Sequence, residues 1–459
     1  MPNVLPTSQL QFGLACLVMA GALVLGGGQG TPGDSAVQMA ALLLIGVCLW
    51  RHAAEPEVRL PRSAWIAAVP VGLALLMLLP MPGTAWGWAD ARPVIAAELA
   101  SADVDPAHRW SLVPVASELS LHWLFTPVGL FLATLQLQGI QRKRLLALVV
   151  GVAAISVVLG FAQLFGGNQS ALRFYEITNA GASVGFFANR NHFASLLAVS
   201  LPLVVVGTMA WYQRRESGSP GTWLGVAAGV GLVALFILGI AITRSRAGLM
   251  LGMLGLLLCL PVVLRMRRRR GTRRTLVLAL VLGFTLVMQF ALFGILQRLE
   301  QDPLEDARFS MLPAVVQTAQ FHSPWGSGAG GFRRAFEARD PAPQSEYINH
   351  AHNDWLELWV ETGPLGLGLA GLGVVVLALT GWRAWPREPG ATAASHAAPA
   401  LTASVGLCLL VLHSLGDYPL RTTALLAVAG LLGGILAGRV GAGQRKIHLS
   451  LPPDEAKVG

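Results

Sequence analysis

Apolar residues run through this chain in long, nearly unbroken blocks, separated by shorter polar stretches rich in arginine, proline and glycine. A helix needs roughly 17 to 25 apolar residues to cross the hydrocarbon core of a bilayer. Blocks of that kind fall at residues 10–28, 36–50, 63–81, 121–139, 144–164, 193–212, 222–242, 246–264, 275–296, 360–382, 398–414 and 422–438. The pattern predicts an all-α polytopic membrane protein with about twelve transmembrane helices, because helix is the structure that satisfies its own backbone inside lipid. The second block is short for a span, and only a tight turn separates 222–242 from 246–264. Leu10 to Gly28 lacks a basic leader and a small-residue cleavage site, so it reads as a first span rather than a secretory signal.

The pattern breaks at one polar island, from about Leu296 to Glu361, the longest stretch without a block of spanning length. Inside it, Phe309, Leu312, Val315, Val316 and Ala319 recur at helical spacing over Asp306 to Phe321, and Pro313 sets either a start or a kink there. Gly326-Ser327-Gly328-Ala329-Gly330-Gly331 predicts a flexible turn folded back against the membrane surface, since glycine forfeits backbone entropy in regular elements. Arg333 to Arg339 predicts a short helix, and His352 to Glu361 leads into the next span. Two other outer segments exceed a turn, at about 82–120 and 165–192. The first carries Trp86, Trp88 and Trp110, which suits an interfacial aromatic loop, with irregular chain over Ala100 to Pro106.

Composition agrees with a membrane chain. Hydrophobic residues make up 54% of the 459 and charged residues only 12%, with a mean hydropathy of +0.59, where a soluble protein carries about 25% charged residues. The net charge of +9 would suit nucleic acid, and Arg265 to Arg274 is the obvious candidate. No nucleic-acid module accompanies that run, which reads as an anchor meeting anionic headgroups. Basic residues resist translocation. With the N-terminus inside, most of the 33 basic residues, all three lysines among them, fall in cytoplasmic loops. The island, where acidic residues outnumber basic ones, then lies outside. Cys16, Cys48, Cys259 and Cys408 all sit in spans without close pairing and read as packing residues.

Two sets of residues carry candidate chemistry. His350-Ala351-His352-Asn353-Asp354-Trp355-Leu356-Glu357 places two histidines and two carboxylates at the mouth of a span, and polar groups there are costly unless they act. Three readings stand: a zinc site, for which the outer loops offer little beyond His322 and His413; a helix cap in headgroup water; and a metal-free base that takes a proton from an acceptor hydroxyl, oriented by Asn353 or Glu357. The second set is arginine on the outer side, where the charge rule disfavours it: Arg190 in Asn189-Arg190-Asn191-His192, and Arg244 and Arg246 in Thr243-Arg244-Ser245-Arg246. One such arginine would be a snorkelling side chain. Three in tight polar turns favour phosphate, which a guanidinium fork holds in two directions. The glycine run fits neither a P-loop nor a dinucleotide fingerprint, so no nucleotide cofactor is expected.

Together these segments resemble the O-antigen ligase and polymerase superfamily of bacterial envelope glycosyltransferases. The resemblance rests on Gly185 to Ala194, Arg244-Ser245-Arg246-Ala247-Gly248, Arg308 with Gly326-Ser327-Gly328 and Phe332, and His350 to Glu357 with Glu361-Thr362-Gly363. It implies a GT-C-like fold in three parts. Residues 1–180 would hold N-terminal transmembrane helices with an outer loop near 82–120. Residues 181–365 would form the ligase-like core, with a periplasmic loop at about 297–360 containing short helices. Residues 366–459 would hold C-terminal transmembrane helices and a cytoplasmic tail. It also implies a metal-independent, inverting transferase of the inner membrane, without cofactor, that moves a glycan from undecaprenyl diphosphate at the periplasmic face. His352 would be the base, and Arg246 and Arg308 would hold the diphosphate with Arg190 and Arg244. His350, Asn353, Glu357 and Asn191 would support them. The acceptor would be lipid A-core for a ligase of lipopolysaccharide biosynthesis, glycan for an O-antigen or exopolysaccharide polymerase, or protein hydroxyl for an oligosaccharyltransferase. The ligase is the reading preferred. A transporter of lipid-linked glycan is the rival from another class, although the internal repeats expected of one are not evident.

Overall fold

The structure is a computed structural model that describes residues 6–105, 108–176, 179–213, 220–265, 311–339, 348–384 and 391–449. Helix is the regular element throughout: α1 (Thr7–Leu25), α2 (Pro32–Ala54), α3 (Ala68–Met77), α4 (Gly83–Trp86), α5 (Ala91–Ser101), α6 (Pro114–Gln136), α7 (Gly139–Phe165), α8 (Arg190–Gln213), α9 (Pro220–Thr243), α10 (Arg246–Arg265), α11 (Leu312–His322), α12 (Phe332–Glu337), α13 (Asp354–Ala384), α14 (Ala391–His413) and α15 (Thr423–Leu449). Among the described residues, seven helices are long and apolar enough to cross a membrane, and four further apolar helical stretches are shorter. The short second block is extended into a full span, Pro32–Ala54, because Thr31 caps it by accepting from Asp34 N at 3.2 Å and Pro32 opens it. The block at 275–296 lies outside the described residues.

α8 is the axis of the bundle. It packs against α7, α9, α10 and α14, and most of its apolar length is buried. A second layer joins α6 to α2 and α15, with α1 running between the layers. Small residues allow the closest approaches. A Cβ on Gly248 would fall 2.3 Å from Ala194 Cβ, and one on Gly430 would fall 2.3 Å from Pro127 O. α10 and α15 can therefore cross α8 and α6 nearly backbone to backbone.

Polar side chains gather at the two ends of the bundle. At one end Arg51 forks onto Glu55 at 2.7 and 3.0 Å and bonds Gln11, beside Gln136. At the other end the chain is stitched across helices. Ala424 N donates to Gly26 O, Ala188 N to Gly27 O, Ser183 N to Ile242 O, and Asp354 N to Ser414 O.

The island differs in part from its expected form. α11 and α12 fall where helices were expected, and Pro313 stands in the first turn of α11. The glycine run folds back onto the start of α13. Ser327 N and Gly328 N donate to Val360 O and Glu361 O, each at 2.9 Å. Gly326 and Gly363 meet back to back, both in the left-handed region, and a Cβ on Gly363 would sit 2.0 Å from Pro324 O. α13 kinks at this contact. The loop at 82–120 contains α4 and α5, and α5 ends at Ser101, where the chain turns irregular. Arg92 on α5 is buried and donates to the carbonyls of Arg109, Trp110 and Gly326.

Candidate functional site

The reversal between α14 and α15 is short and polar. It runs from Ser414 to Thr422 and contains a 3-10 turn at Pro419–Arg421. Asp354, first residue of α13, ties it down: its Oδ2 accepts from Ser414 Oγ at 2.7 Å and from Leu420 N at 3.2 Å. The two histidines of His350-Ala351-His352 are thereby brought over this reversal.

Asp417 is the centre of the first cluster. Its side chain is 1% exposed, and three imidazoles face it: His192 Nε2 at 3.8 Å, His352 Nδ1 at 3.7 Å and His413 Nε2 at 3.8 Å. Asn191 Nδ2 donates to its Oδ2 at 2.6 Å. Burial works against ionisation of Asp417. The imidazoles of His192 and His352, with the charges of His192 and His413, outweigh that and hold its pKa well below the usual carboxylate range. Tyr418 fills the space above, stacked on His350 at 4.2 Å and edge-on to His192 and His352 at 4.8 and 5.1 Å.

His352 and His350 have different surroundings. His352 Nδ1 is buried without a hydrogen bond, nearest to Asp417, while 28% of the side chain remains exposed. An imidazole held that way turns its other nitrogen outward. Its backbone φ of +48° lies in the left-handed region, a strained conformation that recurs where a side chain must be aimed. His350 has both ring nitrogens engaged, Nδ1 with Glu357 Oε1 and Nε2 with Gln29 Oε1, each at 2.8 Å.

The two neighbours expected to orient His352 bond elsewhere. Glu357 bonds His350 and Ala351 N. Asn353 caps α13, its Oδ1 accepting from Trp355 N and Leu356 N at 3.0 Å, and its amide donates to Leu415 O. Both are occupied locally, and Asp417 faces His352 instead.

The second cluster surrounds Arg421. Its Nη1 donates to Glu361 Oε2 at 2.7 Å, and its Nε lies 3.5 Å from both Asp354 Oδ1 and Glu357 Oε1. Burial opposes the guanidinium charge, but the three carboxylates more than offset it and push its pKa up. Gln29 closes the ring by donating to Arg421 O at 2.6 Å.

The arginines expected on the outer side border the same end of α8. Arg190 opens α8, and α10 begins at Arg246 with Ser245 Oγ accepting from Gly248 N at 3.0 Å. Arg244 stands between α9 and α10 at φ +55°, its guanidinium beside Gly181. Within one turn of Arg190, Ala194 touches Gly248 of α10, and Ser195 Oγ bonds His413 Nδ1 of α14. The N-terminus of α10 therefore opens at the end that holds the histidines, where the helix dipole favours an anion. Arg308 lies outside the described residues. Among the described residues, no group of three or more His, Cys, Asp or Glu is placed to hold a metal ion.

Sequence reasoning missed Asp417, Tyr418, Arg421 and Gln29. One signal was available for Arg421, which lies in a short loop that the expected topology puts outside, where the same charge rule that singled out Arg190, Arg244 and Arg246 disfavours it.

Residues 231–371 match the family model described as O-antigen ligase. The match supports the O-antigen ligase and polymerase superfamily and takes in Arg244, Arg246, the histidine loop and Glu361. It stops short of Asp417 and Arg421 and leaves out Arg190 to His192. No curated protein matches the chain.

Proposed function

We propose, with the family match as premise, that this chain is an inner-membrane glycosyltransferase that moves a glycan from undecaprenyl diphosphate to an acceptor hydroxyl at the periplasmic face, in the manner of an O-antigen ligase. The family match supports ligase- or polymerase-type activity in general. The observation that carries the residue assignment is the pairing of His352 with the buried Asp417, with the rest of the imidazole open.

The chemistry follows from that pairing. A sugar hydroxyl is a weak acid and needs a base within hydrogen-bond reach as it attacks. His352, with Nδ1–H toward Asp417, would take the hydroxyl proton on Nε2, and the carboxylate would meet the charge the ring gains. The acceptor oxygen bonds to the anomeric carbon from the face opposite the diphosphate, the carbon–oxygen bond to phosphate breaks, and undecaprenyl diphosphate leaves with that electron pair. Configuration inverts. Arg246, Arg244 and Arg190, with Arg308, would meet the charge growing on the leaving group, and fixed cations there lower the barrier without reorganisation. His350, Glu357 and Arg421 would hold the loop rather than react. Asn191 would hold Asp417.

Proteoliposomes loaded with radiolabelled undecaprenyl-diphosphate glycan and a lipid A-core acceptor test the proposal. Label should pass covalently to the acceptor, and activity should survive exhaustive chelation. Leaflet exchange of the donor without covalent product would refute the transferase, and transfer only to a second glycan would replace the ligase by the polymerase.

A further inference from the structure

A second recess lies at the other end of the bundle. Between α7, α8, α9 and α14 there is a cavity of about 630 Å³, within the range of about 300–1,000 Å³ typical of small-molecule sites. Its walls are apolar, among them Leu146, Val150, Leu203, Val204, Val206 and Leu232. The residues of α8 that line it begin at Leu203 and reach Trp211. At about 1.5 Å per residue, its middle is about 20 Å from His192 along the helix axis. It is therefore separate from the histidine and arginine clusters.

Three features indicate what fills it. The cavity is set among helices of spanning length, so its open side faces acyl chains, and an unfilled apolar cavity forfeits dispersion contacts along its whole lining. Its polar rim is at the basic end: Lys143 and Trp211 line it, and Arg144 stands exposed beside Lys143. Basic side chains next to an indole at a helix end are how proteins meet an anionic headgroup. Its lining is also cut back. Gly151 and Gly207 both line the cavity, and a Cβ on either would meet no atom within 4 Å.

We propose that this groove holds an acyl chain of an anionic phospholipid from the leaflet opposite the histidine cluster, with the headgroup at Lys143. The site does not depend on the transferase reading, because its lining shares no residue with it.

Native mass spectrometry of the full chain, released from nanodiscs of equimolar phosphatidylglycerol and phosphatidylcholine, tests this. The parent protein should retain phosphatidylglycerol in preference. Gly207→Leu and Gly151→Leu put apolar bulk into the groove at positions where a Cβ has open space and should abolish most of that retention. Lys143→Gln should keep the lipid but reduce the preference about fivefold, the worth of one lysine near an anionic surface. Equal retention of the two lipids by the parent would overturn the proposal. So would unchanged retention in both leucine variants, or displacement of phosphatidylglycerol by added undecaprenyl phosphate, which would give the groove to the carrier lipid instead. Should either leucine variant fail to elute as a folded species, the other variant and Lys143→Gln still decide.

Discussion

Replacing Arg421 by methionine is the sharpest test of how the site is held. The change keeps an unbranched apolar stem and removes one buried guanidinium that meets three carboxylates: Glu361 at 2.7 Å, and Asp354 and Glu357 at 3.5 Å. At an effective dielectric of about 20, each contact at that range is worth about 5 kcal/mol of Coulomb attraction before desolvation. Most of that is offset by the cost of burying the charges. The net loss on removing one partner of a buried pair is about 3–5 kcal/mol, since the orphaned carboxylates stay where they are. Thermal unfolding of the purified protein in detergent, followed by tryptophan fluorescence, should show a midpoint lowered by on the order of 3–5 °C. Adding Glu361→Gln to Arg421→Met should recover about 1 kcal/mol or more, because it removes one of the stranded charges. If Arg421→Met unfolds within about 0.5 kcal/mol of the parent, as an ordinary surface substitution does, the guanidinium does not hold this end of the bundle together.

Three further outcomes follow. Gly363→Ala should cost at least about 1–2 kcal/mol from its left-handed backbone alone, and more from the contact with Pro324 O; an unchanged unfolding midpoint would contradict the back-to-back packing of Gly326 and Gly363. Burial, with the charges of Arg92 and Arg339, pulls His322 down to about 4, so the unfolded chain binds a proton that the folded chain excludes. Stability should then be flat above about pH 6.5 and fall by up to about 3 kcal/mol as pH drops toward 4, a slope that His322→Gln should flatten. Asp417 is shifted downward as well. Its stabilisation is complete above its unfolded value of about 3.9 and disappears as pH falls through the lower folded value, so Asp417→Asn should cost stability at neutral pH and also slow transfer by about 100-fold.

The spans were legible because the hydrophobic period is long and unambiguous. Blocks such as 144–164 and 193–212 fall inside α7 and α8 with only their ends moved. The end of α2 was lost because Thr31 and Pro32, which start it, are polar or helix-breaking when read as composition and become helix-starting only through a cap. The histidine loop stood out for its density of titratable groups in an apolar chain. Its partners did not, because Asp417 and Arg421 are more than 60 residues away in sequence, and no local pattern links them to His352. Gln29 is further still, at the other end of the chain, and an isolated glutamine in an outer turn carries no signal. The partner of His352 was misjudged for a related reason. Asn353 and Glu357 are near in sequence, but the cap of α13 and His350 engage them first, and these local bonds form at less entropic cost than a reach across the turn.

The assignment of His352 as the base stands or falls on proton transfer. Its most direct test is the initial rate of glycan transfer by His352→Gln, reconstituted at the same level as the parent with lipid-linked donor and acceptor in excess. Glutamine preserves the size and polarity of the imidazole but cannot take the proton. The account predicts a rate lower by about 10²- to 10⁴-fold, with donor binding retained. Transfer at the parental rate would contradict it.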